Sequence, residues 1–215
     1  MFVGPRMKRD LVTVTPGATL EEAARRLTAH RIHHLPVVVE GNRLAGILSD
    51  TDLRHATLDG VAGGADRGDS GRPVTVGEIM TRQLVTLSPG DTLDDAMLVL
   101  SRRRIGALPV VEGDRLVGIL TKADILSALL STLDIEGLGV RIEVVLRRDL
   151  KEVARLVAAL ADQDVEVRSL VLALHGADGY AAFVRLATID VASVRDRLRE
   201  KGFAVGELSD FYEKK

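Results

Sequence analysis

The sequence predicts an α+β fold made of two copies of a βαββα-type unit followed by a separate βαββαβ domain. Three observations predict it. Leu11 to Leu53 aligns with Leu84 to Ile125 with one gap near Val39, and roughly half of the aligned positions are identical, which marks an internal duplication. The copies are separated by DGVAGGADRGDSGRP (Asp59 to Pro73), a stretch rich in Gly and Asp with almost nothing to bury. From Val140 onward the apolar spacing changes and the repeat is gone. The expected boundaries are 1–57 for the first copy, 58–74 for a flexible loop, 75–136 for the second copy and 137–215 for the last domain.

The elements of each copy follow in the same order. Val12 to Thr15 and Val85 to Ser88 are short strand-forming runs stopped by Pro-Gly. Thr19-Leu-Glu-Glu22 and Thr92-Leu-Asp-Asp95 place an N-cap hydroxyl three residues ahead of a carboxylate, the signature of a helix start. The helices behind them present Leu20, Ala23, Ala24 and Leu27, or Leu93, Ala96, Met97 and Leu100, on one face. Leu-Pro-Val-Val, a charged Glu-Gly turn and a second apolar run (Leu44 to Leu48, Leu116 to Leu120) then suit a pair of adjacent strands, and a second helix follows. The Gly/Asp-rich stretch reads as a mobile connection, with a lid over a site as its functional alternative.

In the last domain VRIEVVL is a strand, and Asp149-Leu-Lys-Glu152 caps a helix whose Val153, Leu156, Val157 and Leu160 share a face. Strands at Val165 to Leu174 and Tyr180 to Thr188 are joined by the turn HGADG. Asp190 caps a last helix that stops at Lys201-Gly202, and Phe203 to Val205 offers a closing strand. This order is the ferredoxin-like arrangement.

Composition narrows the function. A formal charge of -2 and 3% aromatics without Trp argue against nucleic acid as partner, since phosphate neutralisation needs basic excess and base stacking needs rings. The absence of Cys removes disulfides, thiolate metal sites and thiol nucleophiles. MFVGPRMKRD has no apolar stretch of signal-peptide length, and no run approaches the roughly 18 apolar residues of a membrane span, so the expected location is the cytoplasm. No Walker loop, GxGxxG, GxSxG or HExxH occurs, and no catalytic residue is expected.

One motif is written twice: GILSDTDL from Gly46 and GILTKADI from Gly118. Ser49-x-x-Asp52 and Thr121-x-x-Asp124 have the spacing of a helix cap, which would stabilise by about 1 kcal/mol each. A strand running straight into a helix also leaves N–H groups and a positive dipole end facing outward, ready for phosphate. A hydroxyl there can donate to phosphate, and a carboxylate one turn on can accept from ribose hydroxyls.

With IMTRQLVTLSPGDTLDDA, GALPVVEGDRLVGILTKADI and their first-copy counterparts, the stretch from about Met7 to Leu130 resembles a pair of CBS (cystathionine-β-synthase) domains. The resemblance implies two repeats packed about a pseudo-twofold axis, a Bateman module, with two clefts for an adenosyl ligand: AMP, ADP, ATP or S-adenosylmethionine. It places the hydroxyl of Ser49 or Thr121 on phosphate and the carboxylate of Asp52 or Asp124 on ribose. Adenine would lie against Leu11-Val12 and Leu84-Val85 with Ile47 and Ile119 beneath, and Lys8 and Thr81 at the rim. The phosphate side falls at His33-His34 in the first copy and Gly106-Ala107 in the second.

The copies differ where phosphate would lie. The first has Asp50, which repels an anion, and the second has Lys122, which attracts one, so unequal sites are expected with the second stronger and His33 and His34 as its rivals. His30, His33 and His34 have helical spacing for a metal, but Leu35-Pro36 puts them at a helix end without an acidic partner, so no metal is expected. Arg102-Arg103-Arg104 reads as a solvated helix C-terminus, with a phosphate contact as the alternative.

The C-terminal domain is similar to ACT domains in element order, and a CBS pair followed by an ACT-like domain resembles the acetoin-utilisation regulatory protein family. The turn LRRDLKEV lacks the Asp-x-x-Gly of ACT ligand sites, which favours pairing of the domains across a homodimer over amino-acid binding. The expectation is a non-enzymatic regulator that binds an adenine nucleotide and relays occupancy to an unknown protein partner. The alternative is a dimeric adaptor with empty clefts, and behind it come an enzyme acting on a nucleotide and an amino-acid sensor.

Overall fold

Why the duplication folds as it does is visible in its hairpins. The computed structural model describes residues 1–58, 73–135, 137 and 139–206, and the chain divides into two units, Met1–Leu126 and Ser127–Lys215. The connection expected at 58–74 falls, for 59–72, outside the described residues.

The first unit runs α1 (Leu20–His30), β1 (His34–Val39), a single 3-10 turn (Glu40–Asn42), β2 (Arg43–Ser49), α2 (Asp50–Leu58), α3 (Val76–Ile79), α4 (Leu93–Arg103), β3 (Ala107–Glu112) and β4 (Arg115–Thr121), and α5 (Lys122–Thr132) follows. Its sheet has the order β1-β2-β4-β3. Both hairpins pair in the same register, His34 with Ser49 and Ala107 with Thr121, and both slip at the same place, Val37/Val38 and Val110/Val111. One residue pair, Arg43 with Arg115, joins the two hairpins. The duplication read in the sequence is therefore a duplication of registers.

The runs Val12 to Thr15 and Val85 to Ser88 do not become strands. Each makes one parallel bridge, Val14 with Val37 and Leu87 with Val110. Val14 donates to Pro36 and accepts from Val38, at 3.1 and 2.9 Å. Pro16 has no N–H to continue the ladder, and the turn begins there.

The lead-in to each copy packs on the other copy. Lys8 bridges Ile119, and Thr81 bridges Ile47. The buried core of the first copy accordingly includes Val76 and Met80, from the start of the second. Gly46 makes room for this crossing: a Cβ there would lie 2.5 Å from Met80 Sδ and 3.1 Å from the Thr81 carbonyl. Gly118 does the same for the Met7 thioether.

The second unit contains β5 (Val140–Arg147), α6 (Leu150–Ala161), β6 (Val167–His175), β7 (Gly179–Leu186), α7 (Val191–Glu200) and β8 (Ala204–Val205) in an antiparallel sheet of order β6-β7-β5-β8. Alternate residues Ile142, Val144, Leu146, Ala182, Val184 and Leu186 bury one sheet face against Leu156 and Leu160 of α6 and Val194 and Leu198 of α7. Asp149 caps α6 by accepting from the Lys151 amide at 2.9 Å. The expected partner Glu152 does not return to the cap. It accepts from Arg147 and Arg155 at 2.7 and 2.9 Å, and these hydrogen bonds hold its carboxyl below the usual range against the opposing effect of burial.

Candidate functional site

β2 and β4 end on a hydroxyl residue, and the next residue opens a helix. In both copies the hydroxyl and the aspartate form a reciprocal cap. The Ser49 amide and hydroxyl donate to Asp52 Oδ2 at 2.7 Å each, and the Asp52 amide donates to Ser49 Oγ at 3.1 Å. Thr121 and Asp124 repeat this at 2.8, 2.6 and 3.2 Å. One carboxylate oxygen of each aspartate is thus committed to the helix. The other oxygen of Asp124 lies 3.5 Å from Lys8 Nζ, and the Asp124 side chain is 12% exposed.

Each box stands at a cleft, and each cleft is built from both copies. The first, about 540 Å³, brings Ile47, Ser49 and Asp52 of the first copy together with Thr81, Leu84 and Val85 from the lead-in to the second. Its far wall is Arg103, Arg104, Gly106, Ala107 and His34. The second, about 500 Å³, joins Ile119, Thr121 and Lys122 to Lys8, Leu11 and Val12, with Arg31, His33 and His34 opposite. Asp124 stands behind this lining, reaching it through Thr121 and Lys8. Both volumes lie in the range of small-molecule sites.

The crossing corrects one expectation. The sequence set His33-His34 with Asp50 against Gly106-Ala107 with Lys122, as properties of two copies. The structure puts Gly106 and Ala107 in the Ser49 cleft, and it puts His33 beside Lys122 in the Thr121 cleft. His34 and Gly106 line both clefts. The histidines and Lys122 are therefore neighbours rather than rivals. A Cβ on Gly106 would lie 2.8 Å from His34 Cε1 and Nε2, so a side chain there would make the imidazole shift.

Charge differs between the clefts. Lys8, Arg31 and Lys122 face Asp10 in the second, whereas Arg103 and Arg104 face Asp50 and Asp52 in the first. Asp50 has partners of its own: His33 Nδ1 at 3.1 Å and the Arg54 guanidinium at 3.7 Å. Burial raises the Asp50 pKa, but the His33 hydrogen bond, Arg54 and the Thr51 amide outweigh it and hold the carboxyl below the usual range. The His34 pKa is lowered, first by burial and then by His33 and Lys122, against the pull of Asp50 and Asp52.

Sequence reading missed Arg31 and gave Arg104, within the run Arg102 to Arg104, a phosphate contact only as the alternative to a solvated helix end. Both occupy the left-handed region at the C-cap of their helix, with φ of 52° and 54°. A non-glycine residue there costs on the order of 1 kcal/mol, and both copies accept that cost at a residue lining a cleft. The signal was present as Arg-Ile after each helix with no glycine to end it. Among the described residues, no three His, Asp, Glu or Cys side chains gather as metal ligands, and no helix is long and apolar enough to cross a membrane.

The chain is similar to solved CBS-domain pairs across this unit. The CBS pair of protein MJ0100, in complex with 5′-methylthioadenosine and S-adenosyl-L-methionine, is 29% identical, with a TM-score of 0.52 over 60% of this chain and 99% of that one. CBSX2 in complex with AMP is 27% identical, with a TM-score of 0.53 over 60% and 96%. The Vibrio cholerae protein assigned to acetoin utilization (AcuB) is 27% identical, with a TM-score of 0.56 over 63% and 96%. Among curated relatives, homoserine O-acetyltransferase of Methanohalophilus mahii is 33% identical over 131 residues, and the match spans 60% of this chain but only 24% of the enzyme. The CBS domain family matches residues 3–59 and again 76–131, more than half of the chain, and the chain belongs to that family as a tandem CBS pair.

Proposed function

We propose that the chain is a non-enzymatic sensor of an adenosyl ligand (AMP, ADP, ATP or S-adenosylmethionine), bound in the CBS clefts and relayed to a protein partner. The observation that carries this reading is the pair of crossed clefts, each with a hydroxyl-carboxylate box at a helix start. The apolar lead-ins Leu11-Val12 and Leu84-Val85 suit adenine, the boxes suit ribose and phosphate, and relatives with this fold bind such ligands. Phosphate-bearing ligands prefer the Thr121 cleft, where Lys8, Arg31 and Lys122 add to the helix dipole. Ribose competes with Lys8 for Asp124.

Ser127, where the second unit begins, lies three residues after Asp124 in the chain. Occupancy is passed along this segment. The second unit is an ACT-like domain of ferredoxin-like fold, a reading supported by its βαββαβ order and its strand order β6-β7-β5-β8. It pairs across a homodimer in the cytoplasm, and the likeness to AcuB favours a role in acetoin, carbon or energy metabolism.

Thermal unfolding with each of the four ligands tests this on wild type, Asp52→Ala and Asp124→Ala. A ligand at 100 times its Kd stabilises by about 2.7 kcal/mol, a rise in Tm of roughly 5 to 11 °C at this size. The expected result is a shift for at least one ligand, reduced most by Asp124→Ala. Loss of about 1 kcal/mol per variant with no ligand shift in any chain would leave the boxes as helix caps and the protein as an adaptor.

A further inference from the structure

The sheet of the second unit buries one face and leaves the alternate residues on the other. On that other face Arg141 of β5 stands directly opposite Arg185 of β7, and Ser169 of β6 stands opposite Arg185 on the far side. Like charges facing each other across antiparallel strands destabilise the pair. Among the described residues, neither arginine forms an ion pair. The Arg141 guanidinium lies 4.3 Å from the centre of the Phe183 ring, and Arg185 makes one long hydrogen bond, 3.4 Å, to the Gly137 carbonyl. Glu143, next on this face of β5, has a buried carboxylate oxygen without a hydrogen-bond partner and pairs with neither arginine.

The two arginines line a pocket of about 120 Å³ with Ser169 and the apolar side chains of Leu133, Ile135, Val171 and Phe183. At about 30 Å³ per water it has the bulk of about four waters, room for the carboxylate end of a short organic acid. Guanidinium forks match a carboxylate bidentately, and an anion between them removes the repulsion that the register imposes. The apolar walls favour an anion with an apolar stem over a bare inorganic one.

We propose that Arg141 and Arg185 form a binding site for a small carboxylic acid with an apolar stem on the open face of this sheet. The site is separate from the CBS clefts and stands or falls independently of their ligand. Calorimetric titration of the full chain with isovalerate tests it, with inorganic phosphate as comparator. Saturable isovalerate binding in the millimolar range is expected, weakened about tenfold or more by Arg141→Gln or Arg185→Gln, the loss of one charge-assisted partner. Arg141→Lys keeps the charge without the fork, so it is expected to melt with wild type and still bind more weakly. Without ligand, Arg185→Gln is expected to melt no lower than wild type, because it relieves a like-charge pair. No saturable binding, binding retained in both glutamine variants, or phosphate bound as well as isovalerate would each overturn the proposal.

Discussion

His34 lines both clefts with its ring against Gly106, and burial favours its neutral form. Its pKa lies below the ordinary 6.5, so the unfolded chain takes up this proton first as the pH drops. The stability His34 contributes is therefore complete above pH 6.5 and is lost as pH falls toward the lower folded value. His34→Asn is expected to flatten this part of the stability profile, measured by urea unfolding between about pH 7 and pH 5. Phosphate in either cleft favours the imidazolium, so AMP affinity is expected to change over this interval more favourably toward low pH in wild type than in His34→Asn, the difference between the two profiles isolating His34 from His33 and from the phosphate itself. Arg31 and Arg104 hold the other residue-scale tension. Arg104→Gly or Arg31→Gly relieves left-handed strain and is expected to change stability by less than about 1 kcal/mol while weakening AMP binding, read by titration at fixed salt. Much of this was legible in the sequence, because Ser49, Asp52, Thr121, Lys122 and the histidines carry their chemistry in their identity. What was not legible is which of them meet: alignment groups residues by copy, whereas the clefts group them across copies.

At the scale of elements, helix starts were the most readable feature, because capping is local. Thr19 and Thr92 accept from the amides three residues on, at 3.2 and 3.1 Å, where the spacing put them. The partner of a capping residue is less predictable: Glu22 turns to Arg26, as Glu152 turns to Arg147 and Arg155. The crossed lead-ins could not be read at all, since Val3 to Lys8 has no periodicity and its long-range backbone partners, Pro89, Asp91 and Ile119, lie far along the chain. Glycine is their one trace, at Gly46 and Gly118 in the middle of strands. Gly46→Ala drives a methyl into Met80 and toward the Thr81 backbone, an overpacking expected to cost about 1–3 kcal/mol by denaturant midpoint. Because the clash is chiefly with one side chain, Gly46→Ala with Met80→Ala is expected to cost less than the sum of the two. An additive pair would mean that the backbone at Thr81, not the thioether, sets the limit.

At the scale of the whole molecule, the two units have separate cores, and the proposed relay makes a demand that separate cores do not. If occupancy of the clefts changes the second unit, linkage requires that the state of the second unit change the affinity of the clefts by the same free energy. Leu156 is fully buried in the second unit and touches neither cleft. Leu156→Ala is expected to destabilise that unit by about 2–5 kcal/mol, which shifts its population toward open forms without altering a ligand contact. A relay worth 1–3 kcal/mol would then appear as a change of about fivefold or more in the Kd for AMP under conditions where the variant unit is open. The readout is calorimetric affinity, with hydrogen exchange of β5 and β7 reporting whether the unit has opened. A Kd equal to wild type with the second unit open would mean that the units share a chain and no free energy, and the sensor would end at Leu126.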